Sequence, residues 1–213
     1  NFQLLGIRIR IHPLFWAIAA LLGLQSATVQ GSPDFVLLLL WIAAVFISIV
    51  AHELGHALCF RYYRINSHIV LYHFGGLAIP DSFQGTGYGS QLKPGQHMAI
   101  SAAGPAAQLA LAFMVIAIVR LAGYSDGLVS QFVPPKWTAD PLVLVPSKEL
   151  GQFIFYFLFV SIFWAFLNLM PVYPLDGGQI ARELFLLGGS RQAIPHSLIL
   201  SIVVAVGLAM WGF

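Results

Sequence analysis

The chain has 213 residues, of which 59% are hydrophobic and 8% charged, and its mean hydropathy is +0.84. A water-soluble domain carries about 25% charged residues, so this composition excludes an ordinary soluble globule and indicates a protein embedded in lipid. The net charge of +2 comes from scattered basic residues that form no dense stripe, which argues against nucleic-acid binding. The single cysteine, Cys59, excludes an intrachain disulfide and a metal site built from paired cysteines.

Long stretches without Asp, Glu, Lys or Arg mark the predicted membrane spans, because an unpaired charge at mid-bilayer costs at least about 2.5 kcal/mol. About 20 apolar residues cross a bilayer. The pattern predicts a single domain over 1–213 with five crossings, and a further C-terminal segment is an open option. The predicted spans are 12–31, 35–62, 95–122, 149–170 and 194–213. The predicted fold class is therefore an α-helical polytopic membrane protein with about five to six transmembrane helices.

The distribution of Lys and Arg predicts the orientation, because basic residues are enriched on the cytoplasmic side of membrane proteins. A cytoplasmic N-terminus puts seven basic residues inside and three outside. The seven are Arg8, Arg10, Arg61, Arg64, Lys93, Arg182 and Arg191, and the three are Arg120, Lys136 and Lys148. We therefore expect a multi-pass protein with its N-terminus in the cytoplasm, in a prokaryotic cell membrane.

The segment 67–80, SHIVLYHFGGLAIP, is apolar but too short to span a membrane. It is rich in β-branched and aromatic residues and is interrupted by Gly75 and Gly76. This composition favours a short strand or a bent hairpin at the cytoplasmic membrane edge, with an interfacial loop as the alternative.

Glu53 is the only charge in the apolar run from Phe35 to Phe60, and it lies in the motif His52-Glu53-Leu54-Gly55-His56. On a helix, His52 and His56 are four residues apart and share one face, so their imidazoles can hold one Zn²⁺. Glu53 is rotated by about 100° from His52 and can reach a water at the metal instead of the metal. These polar groups would be costly in an uncharged helix without a cation, so the motif predicts a metal site.

A catalytic zinc takes three protein ligands, and Asp176 is the candidate for the third. It lies in the segment NLMPVYPLDGG, which runs from Asn168 to Gly178. Pro171 and Pro174 must interrupt a helix there, and free backbone groups at membrane depth are tolerated where they line a wet cavity. The alternative is that Asp176 only caps a helix over 177–187.

At these residues the sequence resembles the site-2 proteases, zinc metalloproteases that cleave substrates within or next to the membrane. The resemblance rests on HELGH at 52–56, AAGP at 102–105 and the segment 168–178 with its LDGG, in the family's order. It implies one Zn²⁺ per chain held by His52, His56 and Asp176. It further implies Glu53 as the catalytic base and Asn168 as a polar group that contacts the substrate or its oxyanion.

Two features qualify the resemblance. The family's GPxxN reads Gly104-Pro105-Ala-Ala-Gln108 in this chain, and we assign no catalytic role to Gln108. The loops leave no room for the PDZ insertion of some members, so a compact subgroup is expected.

The implied partner is a membrane-spanning protein substrate in the lipid bilayer, and a regulatory membrane protein is an open option. A helical substrate must unwind before cleavage, and an open strand edge can hold it by backbone pairing. Ile69–Ala78 is the candidate edge, and its expected substrate contacts are Ile69, Leu71, His73, Gly75, Gly76 and Leu77.

Two other functions remain open from the sequence. Histidines four residues apart also build metal-transport sites, so a metal-binding or metal-transporting membrane protein is the main alternative. A transporter needs several exchangeable ligands along a path, whereas here they are concentrated in one place. A catalytically inactive scaffold is disfavoured by the intact HExxH and LDGG motifs.

Overall fold

The computed structural model describes residues 1–29, 32–72, 75–81, 92–125, 143–144, 147–190 and 192–211. The helices are α1 (Pro13–Gly23), α2 (Phe35–Tyr62), α3 (Pro94–Leu121), α4 (Lys148–Leu169), α5 (Asp176–Leu187) and α6 (Ala193–Trp211). The strands are β1 (Phe2–Leu4), β2 (Ile7–Ile11), β3 (Thr28–Val29), β4 (Ser32–Pro33), β5 (Ser67–Tyr72), β6 (Gly75–Pro80), β7 (Tyr124–Ser125) and β8 (Val143–Leu144).

Four helices of the described part are long and apolar enough to cross a membrane: α2, α3, α4 and α6. The first three pack against one another, and α5 lies between α3 and α6. Large apolar side chains such as Phe113, Phe163 and Ile202 remain exposed on the outer surface, as expected for groups that face lipid. The predicted class, a helical polytopic membrane protein with a small strand element, is confirmed, with four such helices rather than five or six in the described ranges.

The first predicted span is wrong in extent. In the described part of the predicted 12–31, only Pro13–Gly23 is helical. Its 11 residues reach about 16 Å, short of a bilayer core of about 30 Å. His12 caps the helix start by accepting the N–H of Leu14. The chain after α1 turns back on itself, where the Thr28 hydroxyl donates to the Leu24 carbonyl at 2.6 Å.

A four-stranded sheet of order β1-β2-β5-β6 lies at the C-terminal end of α2. β2 and β5 are parallel neighbours, and the long crossover that such a pair requires is supplied by α1 and α2. The alternation Ile-Arg-Ile-Arg-Ile over 7–11 matches the strand period of two, because Ile7 and Ile9 are buried while Arg8 and Arg10 are exposed.

β5 and β6 form the hairpin predicted over 67–80. β5 lies between β2 and β6, whereas β6 has a strand neighbour on one side only in the described sheet. β6 also packs against α2, the helix that carries the HExxH motif. The open edge of the sheet is therefore β6, beside that motif.

Candidate metal centre

Two histidines of α2 and the first residue of α5 converge at one buried point. The Nε2 atoms of His52 and His56 are 3.1 Å apart, and the Oδ2 atom of Asp176 lies 3.1 Å from the first and 3.3 Å from the second. All three residues are buried. They form a group of three potential metal ligands, as the sequence motifs predict.

The hydrogen bonds of the imidazoles determine which atoms face this point. The Nδ1 atom of His56 lies 2.7 Å from the carbonyl oxygen of Ile100, which can only accept, so Nδ1 carries the proton. The Nδ1 atom of His52 lies 3.1 Å from Oε1 of Gln108, another acceptor. Both Nε2 atoms therefore present lone pairs to Oδ2 of Asp176, a buried atom without a hydrogen-bond partner. Three converging lone pairs fit a metal cation held by two imidazoles and one carboxylate.

Asp176 is positioned as an anionic ligand. The positive end of the α5 dipole favours a carboxylate at this position. The helix cap is Leu175, and Asp176 is the first helical residue, so the alternative that Asp176 serves only as the helix cap is wrong.

The close approach of α3 explains part of the sequence around Gly104. A Cβ atom at Gly104 would overlap the imidazole of His56, so only glycine leaves room for this ligand. Pro105, the next residue, is fully buried inside α3. The AAGP segment therefore contributes space for His56 rather than a ligand.

A cavity of about 690 Å³ opens beside the three ligands. Glu53 lies in it but is not one of the three converging residues. Its carboxylate packs against Gly76 of β6, where a Cβ atom would overlap the Glu53 side chain, and the backbone of Ala78 hydrogen-bonds to it. The strand backbone thus holds the carboxylate beside the metal ligands.

Asn168 lines the same cavity from the last turn of α4. Its Nδ2 atom donates to the carbonyl oxygen of Trp164 at 3.0 Å. An amide has two N–H donors and a carbonyl acceptor, so this bond orients the group and leaves polar atoms for the cavity. The structure thus brings Asn168 together with Glu53 and the three ligands in one cavity.

The residues predicted to contact substrate fall into three groups. Gly75, Gly76 and Leu77 line the cavity. His73 lies outside the described residues. The expectation for Ile69 and Leu71 is wrong, because both are fully buried in β5, where they pair with β2 on one side and β6 on the other.

Two contributions were missed by the sequence reasoning. Gln108 contacts a metal-ligand candidate, although no role was assigned to it. Gly104 was recognised as part of the AAGP motif and Gly76 as an expected substrate contact. Their contacts with His56 and Glu53 depend on helix and strand packing that a single sequence does not reveal.

Replacement of Gly104 by alanine should displace the His56 imidazole and reduce the divalent metal that purifies with the protein by at least about tenfold. The matched control is Gly207→Ala in α6, where an added Cβ meets no atom within 4 Å. Elemental analysis of both variants checks this. Equal metal content in Gly104→Ala and Gly207→Ala would contradict the assignment of His56.

Comparison with known proteins places these features in a family. Residues 40–211 match the model of Peptidase family M50. A zinc metalloprotease of Methanocaldococcus jannaschii is 29% identical over 190 residues, which cover 86% of this chain and 44% of that protein. Stage IV sporulation protein FB of Bacillus subtilis is 30% identical over 182 residues, which cover 84% of this chain and 48% of that protein. The chain thus spans less than half the length of these curated relatives.

The fold has a counterpart among solved structures. It matches the site-2 protease from Methanocaldococcus jannaschii with a TM-score of 0.53 and 21% identity, covering 99% of this chain and 80% of that one. At this identity the match supports the fold. The resemblance to the site-2 proteases drawn from the sequence motifs is confirmed, and the family model over residues 40–211 establishes that this chain belongs to peptidase family M50.

Proposed function

We propose that this chain is a zinc-dependent endopeptidase that cleaves membrane-protein substrates within or next to the bilayer. The observation that carries the proposal is the convergence of His52, His56 and Asp176 beside Glu53, inside a bundle of membrane-length helices. Two imidazoles and a carboxylate are a common ligand set of catalytic zinc, which leaves one position open. The zinc metalloprotease among the relatives supports this choice of metal.

The chemistry divides between the metal and the side chains of the cavity. When bound, zinc acts as a Lewis acid toward a carbonyl oxygen and lowers the pKa of water. Glu53 accepts the proton of the attacking water and returns it to the leaving amine. The Glu53 carboxylate is suited to this because β6 holds it next to the metal ligands. Asn168 donates a hydrogen bond to the oxygen of the scissile carbonyl as negative charge develops there.

The alternative of a metal transporter is not favoured. Only one group of three potential ligands is found in the described part of the chain, and Glu53 stands beside it without joining it. A transport path would need further exchangeable ligands, whereas a base next to a three-ligand metal centre is what hydrolysis needs.

We propose that the substrate is held in extended form along the edge of β6. The N–H of Asp81, just after β6, donates to the carbonyl oxygen of Asn66 at 2.8 Å. Every second residue of a strand directs its N–H group to the same side, so Leu77 and Ile79 direct theirs toward β5. Gly76 and Ala78 then direct theirs away from β5, on the side of Glu53, to which the backbone of Ala78 hydrogen-bonds. An added strand would lie beside the catalytic base.

Three variants separate metal binding from chemistry. Glu53→Gln should keep the zinc and lower proteolysis by about 10²- to 10⁴-fold, because the amide cannot accept a proton. Asn168→Ala should keep the zinc and lower turnover by about 10²- to 10³-fold. Asp176→Ala should lose the zinc itself.

Co-expression with a panel of single-span membrane proteins measures proteolysis, and elemental analysis measures the zinc content. Cleavage by Glu53→Gln at the wild-type rate would refute the proposed base.

The β6 edge can be mapped by disulfide crosslinking to a substrate, in a Cys59→Ser and Glu53→Gln background that removes the native thiol and cleavage. Leu77→Cys and Ile79→Cys should each crosslink to a different substrate cysteine, two positions apart. Val70→Cys is the control, because it lies one strand further away and should exceed the reach of a disulfide. A spacing of three to four substrate residues, or equal crosslinking from Val70→Cys, would exclude strand addition.

We propose that the sheet and the metal centre lie toward the cytoplasm, since most of the basic residues are then inside. The relatives from an archaeon and a bacterium support a prokaryotic membrane. In a Cys59→Ser background, an impermeant maleimide added to intact cells should label Gln25→Cys, because nearby Ala27 accepts the N–H of Asp34 at the start of α2, the end of that helix away from the sheet. It should label Gln3→Cys in β1 only after permeabilisation. The reverse pattern would invert the proposed orientation.

A further inference from the structure

A chain of polar side chains leads from His52 away from the metal cavity into the helix bundle. Oε1 of Gln108 lies 3.1 Å from Nδ1 of His52, and Nε2 of Gln108 donates to Oγ of Ser48 at 2.6 Å. Oγ of Ser48 lies 2.9 Å from Oγ of Ser161. Gln108, Ser48 and Ser161 have no exposed surface, so these partners are their means of satisfying buried polar groups.

The direction of these bonds matters for the metal. With the Gln108 amide donating to Ser48, its carbonyl oxygen accepts the Nδ1 proton of His52. This fixes the tautomer in which Nε2 of His52 is unprotonated. The opposite amide orientation would put an N–H group against Nδ1 and move the histidine proton to Nε2, between the metal ligands. In the observed orientation, the Gln108–Ser48 bond anchors the amide whose carbonyl oxygen accepts the Nδ1 proton of the metal-binding tautomer.

The two histidines differ in how they are oriented. His56 is held by the backbone carbonyl of Ile100, whereas His52 is held by a side chain from α3. The partner of His52 is thus the one that a substitution can change. Gln108 also stands where the site-2 protease pattern has an asparagine, whose side chain is shorter. The longer glutamine side chain, which reaches from His52 to Ser48, is therefore a feature of this chain.

We propose that Gln108 is a positioning residue for the metal centre, which orients the His52 imidazole and fixes its tautomer, and that Ser48 and Ser161 hold the Gln108 amide in the required orientation. The proposal rests on the metal site described above and concerns zinc affinity rather than cleavage. Partners of this kind change metal affinity by about 10- to 100-fold when they are removed.

A purely structural role makes a different prediction. Buried polar contacts between α2, α3 and α4 also stabilise helix association in membranes. If that were their whole role, removing Gln108 would lower the stability of the metal-free protein and leave the zinc affinity of the folded protein unchanged. Zinc affinity and stability therefore have to be measured separately.

The test is zinc binding to the purified full chain in lipid nanodiscs, by competition with a chelator of known affinity. Gln108→Leu should weaken zinc binding by about 10- to 100-fold. Gln108→Glu should bind within about threefold of the wild type, because a carboxylate oxygen can also accept the Nδ1 proton. Gln152→Leu, the same change in the first turns of α4, is the matched control and should leave zinc affinity unchanged.

Ser48→Ala keeps the acceptor but removes the group that orients it, so it should weaken zinc binding by about three- to tenfold and shift the visible spectrum of the Co²⁺-substituted protein. Wild-type affinity in Gln108→Leu, or equal loss in Gln108→Glu, overturns the proposal. If Gln108→Leu does not fold, wild-type affinity in Ser48→Ala overturns it instead. A wild-type chain that binds zinc but cleaves nothing would contradict the proposed protease function and leave the role of Gln108 standing.

Discussion

Lone pairs on two imidazoles and a carboxylate repel one another when they meet in a buried site, and a cation between them relieves that repulsion. His52, His56 and Asp176 are in this arrangement, at separations of 3.1 to 3.3 Å. The surrounding fold provides what the arrangement needs. The hydrogen-bond acceptors on α3 hold the imidazole protons away from the site, and the start of α5 supplies the carboxylate.

Close contact with backbone is the second constraint on the site. Gly104 lets α3 approach His56, and Gly76 lets an edge strand approach Glu53, with no side chain between in either case. The metal ligand His56 and the base Glu53 are thus held by contacts with two different elements, α3 and β6. This arrangement leaves one side of the cavity bordered by strand backbone, which can pair with any extended chain regardless of its side chains. The proposed cleavage of membrane-spanning substrates would need such an edge, because peptide bonds within a substrate helix are shielded until the helix unwinds.

The metal ligands could be predicted from the sequence because their signals are local or energetic. His52 and His56 are related by helix geometry, and Asp176 stands out as an acidic residue in an apolar segment interrupted by prolines. The pairing of strands depends on distant residues, so β5 could not be distinguished from β6 as the open edge, and Ile69 and Leu71 were misassigned. The alternation of Ile and Arg over 7–11 indicates strand β2. Charge-free stretches identify membrane spans only, so this strand was not predicted. The contact from Gln108 to His52 joins positions 56 residues apart, and no local pattern reports it.

The central claim is that the three converging side chains hold one zinc ion. X-ray absorption at the zinc edge, measured on the purified chain together with its metal content, tests this most directly. We expect one zinc per chain, with nitrogen and oxygen ligands at about 2.0 to 2.2 Å and a histidine scattering pattern. Absence of zinc from active protein, or a sulfur ligand at about 2.3 Å, which only Cys59 or a methionine could provide, would contradict it.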